Sequence, residues 1–342
     1  MSPAPIRLVA APSTGAQQAP TSTGLRVPTA PRSFAEEVGA SLRERPRRLP
    51  AHALYDALGS SLFDAICHLP WYPITRAETA LLRQHGRSIL EAAGRHPRVV
   101  ELGPGNGEKL ATLLHDVEAR ERPVDVHLVD VSATALDVAS ARLRRLPGLA
   151  IRTHVARYEV GLRDVVATRQ PGETLLVAFL GSNIGNFDPP EAAALLADIR
   201  RVMQRGDTLL IGADLVKPTA QLQLAYDDPL GVTAAFNSNL LVRLNRELGG
   251  DFDLERFAHD ARWNPAAQRM EMHLVSLALQ RVHLPGAGLT IDFQAGETIW
   301  TESSYKYEPA QFVETLWNAG FVPAGSWRDD EAGFLLTLAA AR

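Results

Sequence analysis

Short apolar runs alternating with amphipathic stretches fill the middle of the chain. Residues 99–102, 126–129, 150–154, 175–179 and 209–211 read as strands, and 108–117, 133–143 and 190–203 carry helical spacing. This alternation predicts an α/β fold: a Rossmann-like parallel sheet covered on both faces. Ligands of such sheets sit beyond the carboxyl ends of the strands. Ahead of this region, residues 34–42 have helical spacing, and 54–63 read as a helix end, a glycine stop and a new start. The two prolines of 69–74 make a rigid aromatic connection. A helix then begins at Thr75, with Thr75 and Glu78 as a capping box. After Lys217-Pro218 the pattern changes. A helix at 240–248 and alternating stretches at 270–275 and 289–293 predict a smaller α+β insertion, before a helix at 309–319 and a strand at 334–338 resume the earlier pattern.

Val99-Val100-Glu101-Leu102-Gly103-Pro104-Gly105-Asn106-Gly107-Glu108 joins the first strand to its helix. Glycines let the backbone approach a ligand, and N–H groups at a helix start favour polar or anionic groups. The dinucleotide fingerprint asks for a glycine three residues after Gly105; Glu108 stands there, which disfavours a nicotinamide-dependent dehydrogenase. Alternate glycines with Glu101 two residues ahead resemble the S-adenosylmethionine (SAM) loop of class I methyltransferases, and the plain alternative is an ordinary tight turn. Asp130 closes the second strand where such sheets hold ribose hydroxyls, or it is simply an acid at a helix start. Phe179-Leu180-Gly181-Ser182-Asn183-Ile184-Gly185-Asn186 is no serine-hydrolase elbow, and its glycines and amides suit a loop that touches cofactor and substrate. Glu302, Ser304 and Lys306 share one face of a strand. Alone, that pattern favours an exposed strand with a charge pair.

Composition narrows the class. The 342 residues are 46% hydrophobic with a net charge of −4. The run Arg43-Glu44-Arg45-Pro46-Arg47-Arg48 reads as a solvated face or linker rather than a nucleic-acid contact. Cys67 is the only cysteine, which excludes an intrachain disulfide. The histidines are too scattered to predict a metal site, and His273 reads as structural or surface. Nothing approaches the roughly eighteen apolar residues of a membrane span. Residues 1–31 are mostly Ala, Pro, Ser, Thr and Gln without signal-peptide features, so a disordered tail and a cytoplasmic protein are expected.

Several separated motifs resemble one family, the histidine N-alpha-methyltransferases of ergothioneine biosynthesis, which make the trimethyl betaine hercynine. They are Tyr55-Asp56-Ala57-Leu58-Gly59-Ser60-Ser61-Leu62-Phe63-Asp64, Thr75-Arg76-Ala77-Glu78, the Phe179 to Asn186 loop, Asp214-Leu215-Val216-Lys217, Ala225-Tyr226-Asp227-Asp228, Gly231-Val232-Thr233-Ala234-Ala235-Phe236-Asn237 and Thr301-Glu302-Ser303-Ser304. The resemblance spans about Leu54 to the C-terminus and leaves out the tail, taken as 1–33; it implies a substrate-binding domain from 34–79 and 218–305 and a SAM-binding domain from 80–217 and 306–342. It implies that Gly103, Gly105, Lys109, Asp130, Gly181 and Ser182 line the SAM site with Tyr55 nearby. Tyr72, Asn186 and Tyr226 would hold the histidine, Tyr72 and Asn186 nearest the chemistry. Glu302 and Ser304 would bond its imidazole, Met272 and Phe63 would shape the wall, and Thr233 would support it. Asp227 and Asp228 are structural candidates. The sequence departs from the family at Ala156-Arg157-Tyr158, where Gly-Asp-Phe is usual. Arg157 cannot accept a hydrogen bond from the adenine amine, although Tyr158 can stack on the ring.

The implied partner is a small molecule, L-histidine, with neither nucleic acid nor membrane. Oligomeric state is not set by the sequence, and a monomer is compatible with it. The competing readings are a relative acting on tryptophan or a modified histidine, and a SAM-binding protein without catalysis.

Overall fold

The computed structural model describes residues 33–94, 97–115 and 123–342, so the expected tail lies outside the described residues except for Ser33. The chain begins with α1 (Phe34–Arg43), β1 (Arg47–Arg48), α2 (Ala57–Cys67) and α3 (Ile74–Ala92). Strands and helices then alternate: β2 (Pro97–Leu102), α4 (Glu108–Leu114), β3 (Val124–Asp130), α5 (Ala133–Leu143), β4 (Leu149–Val155), α6 (Tyr158–Ala167), β5 (Thr174–Phe179), α7 (Pro189–Val202) and β6 (Thr208–Asp214). An insertion follows, with α8 (Thr219–Tyr226), α9 (Val232–Leu248), β7 (Phe257–Asn264), β8 (Arg269–Ser276), β9 (Gln280–Leu284), β10 (Leu289–Phe293) and β11 (Thr298–Tyr305). The chain closes with α10 (Pro309–Asn318), β12 (Phe321–Asp329) and β13 (Phe334–Ala341).

The seven-stranded sheet runs β12-β13-β6-β5-β2-β3-β4. It is parallel from β6 to β4, and β13 lies antiparallel between β12 and β6. Every residue of β2 and β6 is buried, as in a parallel sheet covered on both faces, the charged Arg98 and Glu101 included. One core joins α3, α4 and α5 to the insertion, and the other packs α6, α7 and α10 against the opposite face. In a second sheet, β1-β11-β8-β7, strands of the insertion pair with the N-terminal β1, and β9 pairs with β10 in a hairpin. Among the described residues, no helix is long and apolar enough to cross a membrane.

Local chemistry sets the helix starts. Ser33 and Glu36 cap α1 reciprocally, Ser132 caps α5 through the Ala135 N–H, and Asp188 with Glu191 caps α7, where proline occupies the first turn. Asp228 accepts from the N–H groups of Leu230, Val232 and Thr233 at the start of α9. Three expectations need correction. The capping box at Thr75 is absent, because α3 starts behind Pro73 without a side-chain cap and Glu78 is fully buried elsewhere. Gly59 does not stop a helix. It lies in the first turn of α2, where its N–H bonds Asp56 at 2.7 Å and an added Cβ would sit 1.7 Å from the Leu54 carbonyl oxygen. The arginine run is not wholly solvated, since Arg47 is buried and pairs with Glu297 at 2.7 Å. The sequence reading also passed over α6, α8, β7, β9 and β12, which are short or half-exposed.

Strand β11 contains a register shift between Trp300 and Glu302 against β8. Ile299 and Thr301 are buried before the shift, and Glu302 and Ser304 after it, so the inward phase passes from odd to even residues. Thr301 Oγ1 lies 2.6 Å from Asn237 Oδ1 and 2.9 Å from the Met272 carbonyl oxygen, which fixes the extra residue in place. Glu302, Ser304 and Lys306 are therefore buried, contrary to the exposed strand that their alternation favoured.

Gly59→Ala should destabilise the chain by roughly 2 kcal/mol or more, because the Leu54 carbonyl cannot yield without unwinding the turn. Urea unfolding checks this, and an unchanged midpoint would show that α2 does not depend on the close approach.

Candidate active site

A cleft of about 1260 Å³ opens at the carboxyl ends of β2, β3 and β5, and a smaller cavity adjoins it beneath β11 and α9. Tyr55, Phe63, Tyr72, Gly181, Asn186 and Glu302 contribute to the walls of both.

The cleft is built around the loop after β2, where Gly103, Gly105 and Gly107 have φ of 72°, 54° and 75°. Such left-handed backbone strongly favours glycine. Asp130 ends β3 with Oδ1 accepting the Ser132 N–H at 2.8 Å. It therefore supports the helix start as well as facing the cleft, and burial raises its pKa against the pull of that hydrogen bond. Lys109 pairs with Glu78 at 2.7 Å, and Glu78 also accepts the Gly181 N–H at 2.8 Å. Burial alone would lower Lys109, but Glu78 outweighs it and keeps the ammonium charged. Tyr158 stands edge-on to Phe179 with ring centroids 5.5 Å apart, and its hydroxyl lies where a side chain on Gly103 would go. Arg157 turns across the cleft to Glu37 of α1 at 3.1 Å, and the other oxygen of Glu37 meets His52 at 3.0 Å.

Tyr55, Gly103, Gly105, Lys109, Asp130, Tyr158 and Gly181 all line the cleft. Ser182 lines the smaller cavity instead, and its Oγ accepts the Asp214 N–H at 2.8 Å. This donor set fits SAM: a carboxylate for ribose hydroxyls, an ammonium for a carboxylate, and glycine backbone where a Cβ would obstruct the approach.

Tyr72, Asn186, Tyr226, Met272, Glu302, Ser304, Phe63 and Thr233 line the smaller cavity together. Helix α2 and the loop behind it bring Phe63 and Tyr72, whose ring centroids are 6.4 Å apart. Helix α8 brings Tyr226, 6.3 Å from Tyr72 and close to edge-on to it. Burial pushes the Glu302 carboxyl up to about 7, against the opposing pull of Lys306 and a hydrogen bond from Tyr55. Burial also holds the Tyr72 hydroxyl well above its ordinary value, so Tyr72 is a neutral phenol at working pH. Tyr226 donates to Ser304 Oγ at 2.7 Å. The cavity thus offers one titrating carboxyl and several neutral hydroxyls within an aromatic wall.

Sequence reasoning missed several contributors. Phe236 forms part of the wall, 5.6 Å from Tyr55, and it sat unremarked inside a quoted motif. Asn183 lines both spaces and belonged to the loop already singled out. Asn106 of the glycine loop donates to Asp64 of α2 at 2.6 Å, a contact between distant segments that no spacing announces. Glu78 carries a signal, its place in a family-like motif, although its spacing from Thr75 points to a cap. Among the described residues, no group of three or more metal-ligating side chains is assembled.

The set of proteins described as histidine-specific, SAM-dependent methyltransferases matches residues 34–341. The chain is 41% identical over 309 residues to a histidine N-alpha-methyltransferase of Mycobacterium tuberculosis, covering 89% of this chain and 94% of that protein. It is 40% identical over 319 residues to a protein of the same description from Mycolicibacterium smegmatis, covering 92% and 97%. Similarity also extends to an ergothioneine biosynthesis protein 1 of Neurospora crassa, 26% identical over 300 residues, covering 83% of this chain and 32% of that longer protein.

Asp130→Ala should weaken S-adenosylhomocysteine binding roughly tenfold, the scale of one hydrogen bond to a charged group. Isothermal titration measures it, and equal affinity would remove Asp130 from the cofactor site.

Proposed function

The chain belongs to the histidine-specific, SAM-dependent methyltransferase family, and from that premise we propose that it methylates the α-amino nitrogen of L-histidine, up to three times, to give hercynine in the cytoplasm. The observation that carries the reading is the juxtaposition of Glu302 and Ser304 in a buried cavity that shares Tyr72 and Asn186 with the cofactor cleft.

SAM supplies an electrophilic methyl group on its sulfonium. The protein must hold the amine, keep water away and let its proton leave. The aromatic wall of Tyr55, Phe63, Tyr72 and Phe236 excludes water and disfavours the ammonium form of the amine. Tyr72, a neutral phenol, can take a proton only while passing on its own, so its proposed role is to hold the amine and relay to water. Each methylation removes an N–H donor from the substrate, so recognition cannot lean on the amine. In this reading it leans on the carboxylate, met by Asn186, and on the ring, met by Glu302 and by Ser304, with Tyr226 held behind Ser304. Met272 stands opposite Glu302 in the β8–β11 pairing and fills the space beside the ring. An indole has no second nitrogen for this polar pair to meet, which favours histidine over tryptophan.

Incubation with SAM and each of the twenty amino acids, followed by mass spectrometry, should show gains of one to three methyl groups on histidine and none of comparable rate on the others. A different amino acid carrying the gain would overturn the substrate assignment, and no gain at all would favour a protein without catalysis. The carboxylate form of Glu302 is the better acceptor, so kcat/KM for histidine should fall as pH drops below about 7. Glu302→Gln should raise the histidine KM roughly tenfold and remove one proton's share of that fall. An unchanged KM and pH profile would exclude Glu302 from ring recognition.

A further inference from the structure

Lys306, just beyond β11, has a fully buried ammonium that the reading above leaves without a role. Its Nζ lies 2.8 Å from Asp214 Oδ2, 2.8 Å from Tyr226 Oη and 2.8 Å from Ser304 Oγ. All three N–H donors are engaged. Burial alone would lower its pKa, but Asp214 and then Tyr226 outweigh burial and hold it above the ordinary value, so Lys306 stays charged and is not a base.

The protons of this ring can be counted. Tyr226 Oη and Ser304 Oγ each accept from the ammonium, and they lie 2.7 Å apart, so one hydroxyl hydrogen bridges them. One hydrogen is left over. It cannot turn toward Lys306, which has no acceptor, and both hydroxyls line the cavity. A phenol is the better donor and an alcohol oxygen the better acceptor, and the ammonium donates to both oxygens at the same distance. The bridging hydrogen is therefore that of Tyr226, and the hydrogen of Ser304 points into the cavity.

We propose that Lys306 is a positioning residue that makes Ser304 an obligate hydrogen-bond donor to the substrate. This rests on the histidine reading and sharpens it: the ring taken up is a neutral imidazole in one tautomer, with its bare nitrogen toward Ser304 and its N–H toward Glu302. An imidazolium, or a ring with no lone-pair nitrogen, leaves the Ser304 hydrogen without an acceptor in a buried site. Asp214 also pairs with Lys217, so removing Lys306 does not leave its carboxylate without a cation.

The test is steady-state kinetics with SAM on the full chain and on Lys306→Met, Ser304→Ala and the double variant, with S-adenosylhomocysteine titrations alongside. Lys306→Met should raise the histidine KM roughly tenfold, with kcat within about threefold and cofactor affinity unchanged. The double variant should be no worse than the poorer single variant, because both act through one hydroxyl. An unmoved histidine KM in Lys306→Met, additive losses, or a parallel loss of cofactor affinity would overturn the proposal. A second comparison does not depend on how Lys306→Met folds. The original protein should bind histidine roughly tenfold more tightly than the better of the two pyrrolylalanines, each of which keeps one N–H and lacks the lone-pair nitrogen, and Ser304→Ala should erase that preference. Equal binding by the original protein would overturn the proposal. Absence of histidine turnover in the original protein would instead refute the substrate reading itself.

Discussion

The extra residue in β11 is the constraint on which the site depends. Without the shift at Thr301, the strand would continue to turn its odd residues inward, and Ser303 and Tyr305 would take the places that Glu302 and Ser304 occupy. The shift is held by Thr301 against Asn237 and the Met272 carbonyl, so a helix and a strand of the insertion jointly fix the phase. Beyond it, the chain is tied directly to the main sheet. The Tyr307 N–H bonds the Asp214 carbonyl at 2.9 Å, and the Val216 N–H bonds the Tyr307 carbonyl at 3.1 Å. The Asp214 and Lys306 side chains meet at the same junction. A strand of the smaller cavity is thereby registered on the end of β6, next to β5, whose end opens into the cleft.

A parallel chain of contacts runs beneath the cofactor loop. Glu78 joins α3 to Lys109 after β2 and to Gly181 after β5, so one buried carboxylate sets the spacing of two loops that share the cleft. A buried acid with a single cation is a costly element; here the Lys109 ammonium and the Gly181 N–H both meet Oε2, and Oε1 has no partner among the described residues. The result is one floor under the cleft and, across Tyr55, Gly181 and Asn186, a wall that the cleft shares with the smaller cavity. For methyl transfer rigidity is the main requirement, because positioning and exclusion of water contribute more than proton transfer.

Much of this was legible in the sequence, and what was not has a physical cause. The alternation of apolar runs and amphipathic helices announced the α/β sheet because both faces are covered, and the left-handed glycines marked the loop because few other residues tolerate that backbone. The α+β character of the insertion was visible, but β7 and β9 were not: β7 alternates weakly, and β9 is only five residues long with the polar Gln280 at one of its inward positions. Glu302, Ser304 and Lys306 looked like an exposed charged strand because period two carries no sign of which face is buried. Only the neighbouring bulge, set by tertiary contacts, reverses the phase. Glu78 and Arg47 differ from expectation for a related reason: their partners, Lys109, Gly181 and Glu297, lie far along the chain, and local chemistry points to a cap and a solvated run instead. Arg157 stands out in the sequence as a departure from the family pattern, but spacing gives no sign of its partner Glu37 on α1.

The most direct test is a crystal structure of the protein with S-adenosylhomocysteine and L-histidine bound. It should show the imidazole between Glu302 and Ser304, with the α-amino nitrogen turned toward Tyr72 and Asn186 at the shared wall. An imidazole lying outside the smaller cavity, or a histidine bound in the opposite sense with its amine against Glu302, would contradict the account.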